Sequence, residues 1–265
     1  MLPDRLISDT DKESLNVWCA YPEDTSTEAV TEECVQLLSE DERARWLSFR
    51  FEHSRCEYLT TRALVRTALS HCHPLAPDAW RFQSNTYGKP AVEQNCGLSF
   101  NLSNSLGLVV CLIAQGASVG VDVESYERAG QIVELASDVL APREQIQLEA
   151  LRGRQKANRA LSLWTLKEAY IKAIGMGLSL PLKQISFLFD DEDGIRLELD
   201  HALGDQKERC WKFCLLDCAE HRIALMVERA NVPRLQLWEV RPITATPTRL
   251  STCGERWFPA PAVSP

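Results

Sequence analysis

The segment Val119-Gly120-Val121-Asp122-Val123-Glu124 sets two acids among valines. In a strand, residues two apart share a face, so Asp122 and Glu124 project side by side. Paired carboxylates repel unless a cation lies between them. Hard oxygen donors suit Mg²⁺, which keeps several waters and takes one or two carboxylates together with substrate phosphate oxygens. The same acids on a solvated edge strand would need no cation, and the local sequence leaves both readings open. Further along, LWTLKEAYIKAIGMGLSLPL places Leu163, Leu166, Tyr170 and Ile174 at helical spacing and stops at Gly175 and Gly177. Glu168 and Lys172 share a face of that helix. They read either as a surface ion pair worth about 0.2–0.5 kcal/mol, or as a third carboxylate for a metal, with Lys167 and Lys172 as partners for phosphate charge.

Other residues with chemical potential carry less. Cys210, Cys214 and Cys218 recur every four residues, but Trp211, Phe213 and Leu215 interleave with them in a strand-like alternation and no CxxC pair exists, so they read as structural thiols and not zinc ligands. His71-Cys72-His73 precedes Pro74 and Pro77 in an expected loop, where a metal site has no further support.

Several function classes are excluded by composition. With 45% hydrophobic and 25% charged residues the chain is neither disordered nor a coiled coil. Its 29 basic and 37 acidic residues leave a net charge of −8, unsuited to coating nucleic-acid phosphates, so any phosphate site must be local. The longest apolar stretch, Leu106 to Ala114, is well short of the roughly 20 residues that cross a bilayer. The N-terminus lacks a secretory pattern. A cytoplasmic protein with reduced cysteines is the expectation.

The elements that must position these residues follow from pattern. Ser39-Glu40-Asp41-Glu42 forms a capping box that starts a helix running towards Phe49. A second helix spans about Ser54 to Ser70, with Arg55, Arg62 and Arg66 among its apolar positions. Trp80 to Gln83, a turn at Tyr87-Gly88-Lys89-Pro90, and strands near Leu98 to Leu102 and Leu108 to Ala114 come next. The second half repeats that order: strand Ser118 to Glu124, helices Ile132 to Leu140, Pro142 to Leu151 and Asn158 to Ile174, then strands Gln184 to Phe189, Ile195 to Leu199, Trp211 to Leu216 and Arg222 to Glu228. Glu42 and Glu144 open equivalent helices, and Arg62 and Lys167 sit on equivalent second helices. The expected fold class is therefore α+β: two similar α+β lobes, residues 1–117 and 118–232, related by a pseudo-two-fold internal duplication, with a ligand between them. A Pro-rich irregular tail is expected over 233–265.

GVDVE combined with WTLKEAYIKAIGMGLSLPL resembles the signature pair of the 4′-phosphopantetheinyl transferase superfamily, of the two-lobed, monomeric Sfp type. Leu38 to Arg66 is similar to that family's helix pair, Tyr87-Gly88-Lys89-Pro90 to its YGKP turn, and Phe100-Asn101-Leu102-Ser103 to its FNLSH strand. The likeness covers about residues 35 to 190, in order.

The resemblance implies an enzyme that transfers the phosphopantetheine arm of coenzyme A to a serine of an apo acyl or peptidyl carrier protein, releasing adenosine 3′,5′-bisphosphate. By motif position, Asp122, Glu124 and Glu168 would bind Mg²⁺, and Lys172 would neutralise charge near the diphosphate. Lys89, Ser103 and Lys167 would lie at the coenzyme A site, with Arg62 and Arg55 near the 3′-phosphate, although a solvated helix face accounts equally for the two arginines. Glu168 is also the first candidate for general base, a role left open because metal ligation acidifies a carboxylate. Glu144 matches a further family acid, for which helix capping is a sufficient explanation. Asn104 stands where the family has histidine and can hydrogen-bond a phosphate without supplying charge. Because carriers are acidic and this chain is net negative, the implied docking surface is local: an apolar groove with a few basic residues that receives one carrier helix. The alternatives are a catalytically silent relative that binds coenzyme A or carrier protein, and an unrelated Mg²⁺-dependent nucleotide module. The latter lacks any GxxxxGK[ST] loop or GxGxxG fingerprint.

Overall fold

The computed structural model describes residues 13–190, 194–200, 202–203, 209–241, 243–250 and 256–259. Its first elements are β1 (Ser14–Ala20), α1 (Glu28–Gln36), α2 (Glu40–Ser48), α3 (Glu52–Cys72), β2 (Phe82–Ser84), β3 (Pro90–Val92), β4 (Leu98–Ser105) and β5 (Leu108–Gln115). There follow β6 (Val119–Ser125), α4 (Ala129–Val139), α5 (Pro142–Glu149), α6 (Gly153–Ile174), β7 (Ile185–Phe189), β8 (Ile195–Leu199), β9 (Trp211–Cys218) and β10 (His221–Glu228). The chain closes with β11 (Arg234–Val240), β12 (Thr248–Leu250) and β13 (Arg256–Pro259). Helices and sheets are mixed in an α+β architecture.

Two compact units result, and neither is one continuous piece. The first comprises Met1–Thr86, Pro90–Ala117 and Pro233–Cys253; the second comprises Tyr87–Lys89, Ser118–Val232 and Gly254–Pro265.

In the first unit the sheet order is β12-β11-β1-β5-β4, with β1 antiparallel to β5 and parallel to β11. The helix α3 buries Leu59, Ala63, Leu64, Ala68 and Leu69 in a core that includes Trp18, Trp80 and Phe100. Each such large apolar side chain contributes roughly 1.5–3 kcal/mol of burial free energy. The capping box at Ser39 is present: Ser39 Oγ accepts from Glu42 N, and Ser39 N donates to Glu42 Oε2 at 3.0 Å. His71 and Cys72 belong to the last turn of α3 and not to a loop, and the His71 ring lies 5.1 Å from that of Trp18. That aromatic contact accounts for His71.

The expectation of an irregular tail is corrected. Arg234 to Val240 forms a strand that runs parallel to β1, with Leu235 and Val240 buried and the Trp238 ring stacked 5.2 Å from Trp18. Pro233, one of the prolines that suggested irregularity, precedes this strand and leaves its interior N–H groups able to pair.

In the second unit the sheet order is β13-β9-β10-β6, all neighbours antiparallel. The helix α6 lies in a core with Trp211, Phe213, Ala224 and Met226 of that sheet. It begins at Gly153, earlier than the pattern suggested, and ends on Gly175, whose φ of 77° supplies the left-handed cap that an L side chain resists. On β9, Trp211, Phe213 and Cys214 are buried, and the described cysteines form no disulfide.

Candidate active site

The strand β6 lies at a sheet edge, yet every residue in it is buried. Asp122 and Glu124 are each 5% exposed, which removes the reading of two solvated edge carboxylates. What covers them is set by Gly120. A Cβ there would stand 2.0 Å from the Ala169 carbonyl oxygen and 2.5 Å from Ala173 N, so only glycine lets β6 approach α6 this closely. The alanines of α6 meet that backbone, and the polar side chains of the same helix reach the acids two and four residues along the strand.

On α6 those side chains are Trp164, Glu168 and Lys172, spaced by four and therefore stacked along one face. Trp164 Nε1 donates to Glu124 Oε1 at 3.0 Å. Lys172 Nζ pairs with Asp122 Oδ1 at 2.7 Å. Glu168 sits between them, and its carboxyl is raised above the ordinary range by burial first and by the charge of Asp122 next, with Lys172 opposing and Glu124 adding to the rise. Glu168 thus feels the field of two buried acids. A further cation, Arg128, approaches Glu124 from the turn after β6, its NH1 lying 2.7 and 2.6 Å from the two carboxylate oxygens.

Three carboxylates offering only hard oxygen donors, with Glu168 raised by burial and by its acidic neighbours, form a donor set suited to a divalent cation such as Mg²⁺. Lys172 and Arg128 supply the positive charge in the structure, and among the described residues no three such side chains already close around one point.

The remaining residues singled out by sequence divide between the units. In the second unit, Lys89 Nζ donates to the Val119 and Ala173 carbonyls, each at 2.9 Å. It ties the start of β6 to the end of α6, and burial first, then Arg209, lower its pKa to about 8. Lys167 does not serve phosphate. Its side chain is 1% exposed, paired with Glu144 at 2.7 Å and donating to the Val139, Leu182 and Ile185 carbonyls, so the expectation of a phosphate partner there is corrected. A buried ammonium with a carboxylate and three carbonyls has no capacity left for a ligand.

In the first unit, Arg62 Nε donates to Glu42 Oε1 at 2.7 Å and its guanidinium lies 4.7 Å from the Phe82 ring centre. Arg55 is half-buried on α3. Ser103 is buried in β4, while the adjacent Asn104 is exposed opposite Val109. Trp164, Arg128 and Gly120 received no role from sequence reasoning. The signal for Trp164 was present in its spacing, four residues before Glu168, whereas Arg128 lies in a turn where no periodicity applies.

Comparison with known proteins bears on this geometry. The profile of the 4′-phosphopantetheinyl transferase superfamily matches residues 118–226, which include β6 and α6. A phosphopantetheinyl transferase of Thraustochytrium sp. is 34% identical over 205 residues, covering 72% of this chain and 70% of that one. The chain belongs to the 4′-phosphopantetheinyl transferase superfamily. The 4′-phosphopantetheinyl transferase HetI of a Nostoc species is 30% identical over 174 residues, 64% of this transferase and 73% of HetI. The Sfp transferase of Bacillus subtilis is 29% identical over 174 residues, 61% and 76% of the two chains.

Proposed function

We propose that this transferase moves the 4′-phosphopantetheine arm of coenzyme A onto a serine hydroxyl of an apo acyl or peptidyl carrier protein and releases adenosine 3′,5′-bisphosphate. The observation that carries the reading is the convergence of buried Asp122 and Glu124 of β6 with half-buried Glu168 and Lys172 of α6.

In this transfer the serine oxygen forms a bond to the phosphorus next to the pantetheine arm. The bond from that phosphorus to the oxygen bridging the two phosphates breaks, and the serine proton is lost. Asp122, Glu124 and Glu168 would hold Mg²⁺, which when bound neutralises the pyrophosphate and the charge developing on the leaving group. Lys172, four residues from Glu168 and paired with Asp122, holds positive charge where the diphosphate comes to rest. Trp164 orients Glu124 through its indole N–H. Glu168 is also the first candidate acceptor of the serine proton, a role that its metal ligation would oppose and that stays open. Lys89 fixes the spacing of β6 and α6 on which these contacts depend. Ser103 is assigned to the coenzyme A site, and Asn104, Arg62 and Arg55 to the adenosine 3′-phosphate, Arg62 while also meeting Glu42.

We read the transferase further as a cytoplasmic monomer with no nucleic-acid or membrane partner. Its net charge of −8 supports the first exclusion, and among the described residues no helix is long and apolar enough to cross a membrane.

Intact mass of an apo carrier after incubation with the transferase, coenzyme A and Mg²⁺ tests the proposal. A gain of one phosphopantetheine that disappears with Glu168→Ala supports it. Coenzyme A binding with no gain on acyl or peptidyl carriers would instead favour a silent binding relative.

A further inference from the structure

The contact between Arg128 and Glu124 bears on how this site receives a metal. Two donors of different character meet Glu124. The Trp164 indole is carried on the buried length of α6 and donates to Oε1 at 3.0 Å. Arg128 comes from a short 3₁₀ turn, Tyr126–Arg128, whose start is held by Ser125 Oγ accepting from Glu127 N at 3.2 Å. Its side chain is 38% exposed, and a single nitrogen, NH1, reaches both carboxylate oxygens. A guanidinium that holds a carboxylate strongly does so with two parallel N–H···O bonds. This one uses one prong, from a side chain that water already reaches, so the guanidinium can turn out to solvent when another cation takes its place beside buried Glu124.

The two contacts therefore divide the work. Trp164 keeps Glu124 aimed whether or not Arg128 is present, and Arg128 supplies charge without fixing direction. We propose that Arg128 is a built-in counter-cation of Glu124 that gives way when a divalent cation binds, and that it thereby sets the apparent metal affinity of the site. The proposal rests on the reading of Asp122, Glu124 and Glu168 as the metal carboxylates. Mutual exclusion follows from position: both Glu124 oxygens now face Arg128 NH1, and a cation drawn to the same oxygens meets the guanidinium charge. By linkage, whatever Arg128 gives to the metal-free protein is subtracted from metal binding.

The test uses Mn²⁺ as probe, with free Mn²⁺ followed by electron paramagnetic resonance at low ionic strength and no coenzyme A present. Four full-length proteins are compared: wild type, Arg128→Gln, Glu124→Gln and the double variant. Arg128→Gln is expected to bind Mn²⁺ roughly three- to fivefold more tightly, the range set by a partly exposed ion pair. Arg128→Lys, which keeps the charge, stays near wild type. In the Glu124→Gln background the same Arg128→Gln change shifts affinity little, because its partner is gone. Saturating Mn²⁺ also removes the difference in melting temperature between wild type and Arg128→Gln. Unchanged or weaker binding by Arg128→Gln would overturn the proposal while leaving the metal site standing. Equal tightening in both backgrounds would overturn it too, as a general charge effect. Absence of Mn²⁺ binding by wild type would overturn the metal reading itself and this inference with it.

Discussion

Each unit of the molecule contains the same bracket, built with different cations. In the first, Glu42 near the start of α2 accepts from the Ser39 N–H and meets two arginines of α3, Arg62 and Arg66, the latter at 2.7 Å. In the second, Glu144 near the start of α5 accepts from the Ala141 N–H at 2.7 Å and meets one lysine of α6, Lys167, at 2.7 Å. Burial is the largest influence on both acids and raises both, but the outcomes diverge. Around Glu42, Arg62, the Ser39 N–H and Arg66 together outweigh burial and its pKa falls. Around Glu144, Lys167 and the Phe187 and Ala141 N–H groups do not, and its pKa rises. The bracket is thus a way to lock a short helix to a long one, and its charge balance depends on how far it is sealed from water. The long helices differ in the same sense: α3 spends its buried face on Leu59, Ala63, Leu64 and Leu69, whereas α6 brings Glu168 and Lys172 to the acids of β6.

The largest expected effect comes from breaking the sealed bracket. Lys167→Met leaves Glu144 buried without its counter-ion and should cost about 3–5 kcal/mol, read from urea unfolding. Arg62→Met should cost about 1 kcal/mol or less, because Arg66 still meets Glu42. Equal costs would show that the two brackets are alike after all. Next in size, Gly120→Ala sets a Cβ against the Ala169 carbonyl and should lower stability by about 1–3 kcal/mol, with transfer activity falling as β6 is pushed from α6. A melting temperature equal to wild type would deny the close approach.

A pH series sharpens the contrast by sign. Glu42 has a folded pKa below its reference value of 4.5, so its stabilisation is present above that pH and is lost as pH falls through the lowered value. Glu144 has a folded pKa above 4.5, so its favourable contribution is complete below that pH and is lost as pH rises through the raised value. The stability advantage of wild type over Glu42→Gln should shrink on acidification below 4.5, while its standing against Glu144→Gln should improve as pH falls towards 4.5 from above and stay level below it. Parallel trends in the two unfolding series would refute the assignment. The smallest effect concerns Asn104. If it lies at the 3′-phosphate, Asn104→His should lower the KM for coenzyme A by roughly tenfold, one charge-assisted hydrogen bond, with kcat little changed in a steady-state assay. Loss of activity in that variant would deny the placement.

Much of this arrangement is legible in the chain. Alternation in GVDVE and four-residue spacing in α6 are local periodicities, and they led directly to the strand and helix that carry the acids. The capping box at Ser39 is local as well. What the sequence conceals is non-local. Lys167 and Lys172 are both lysines of one helix near one glutamate, and only packing shows that Lys167 turns to Glu144 and three carbonyls while Lys172 turns to Asp122. The strand after Pro233 pairs with residues more than 200 positions earlier, a contact no window along the chain contains. Arg128 reaches Glu124 through a turn of four residues, close in sequence but outside both periodicities.

The most direct test contrasts two glutamates, half-buried Glu168 at the site and buried Glu144 of the bracket, on two readouts. Glu168→Gln and Glu144→Gln would each be measured for melting temperature and for phosphopantetheine added per folded enzyme. Glu168→Gln should melt at or above wild type, having lost a repelled charge, and transfer nothing. Glu144→Gln should melt lower while its folded fraction transfers normally. Wild-type transfer by Glu168→Gln would contradict the account.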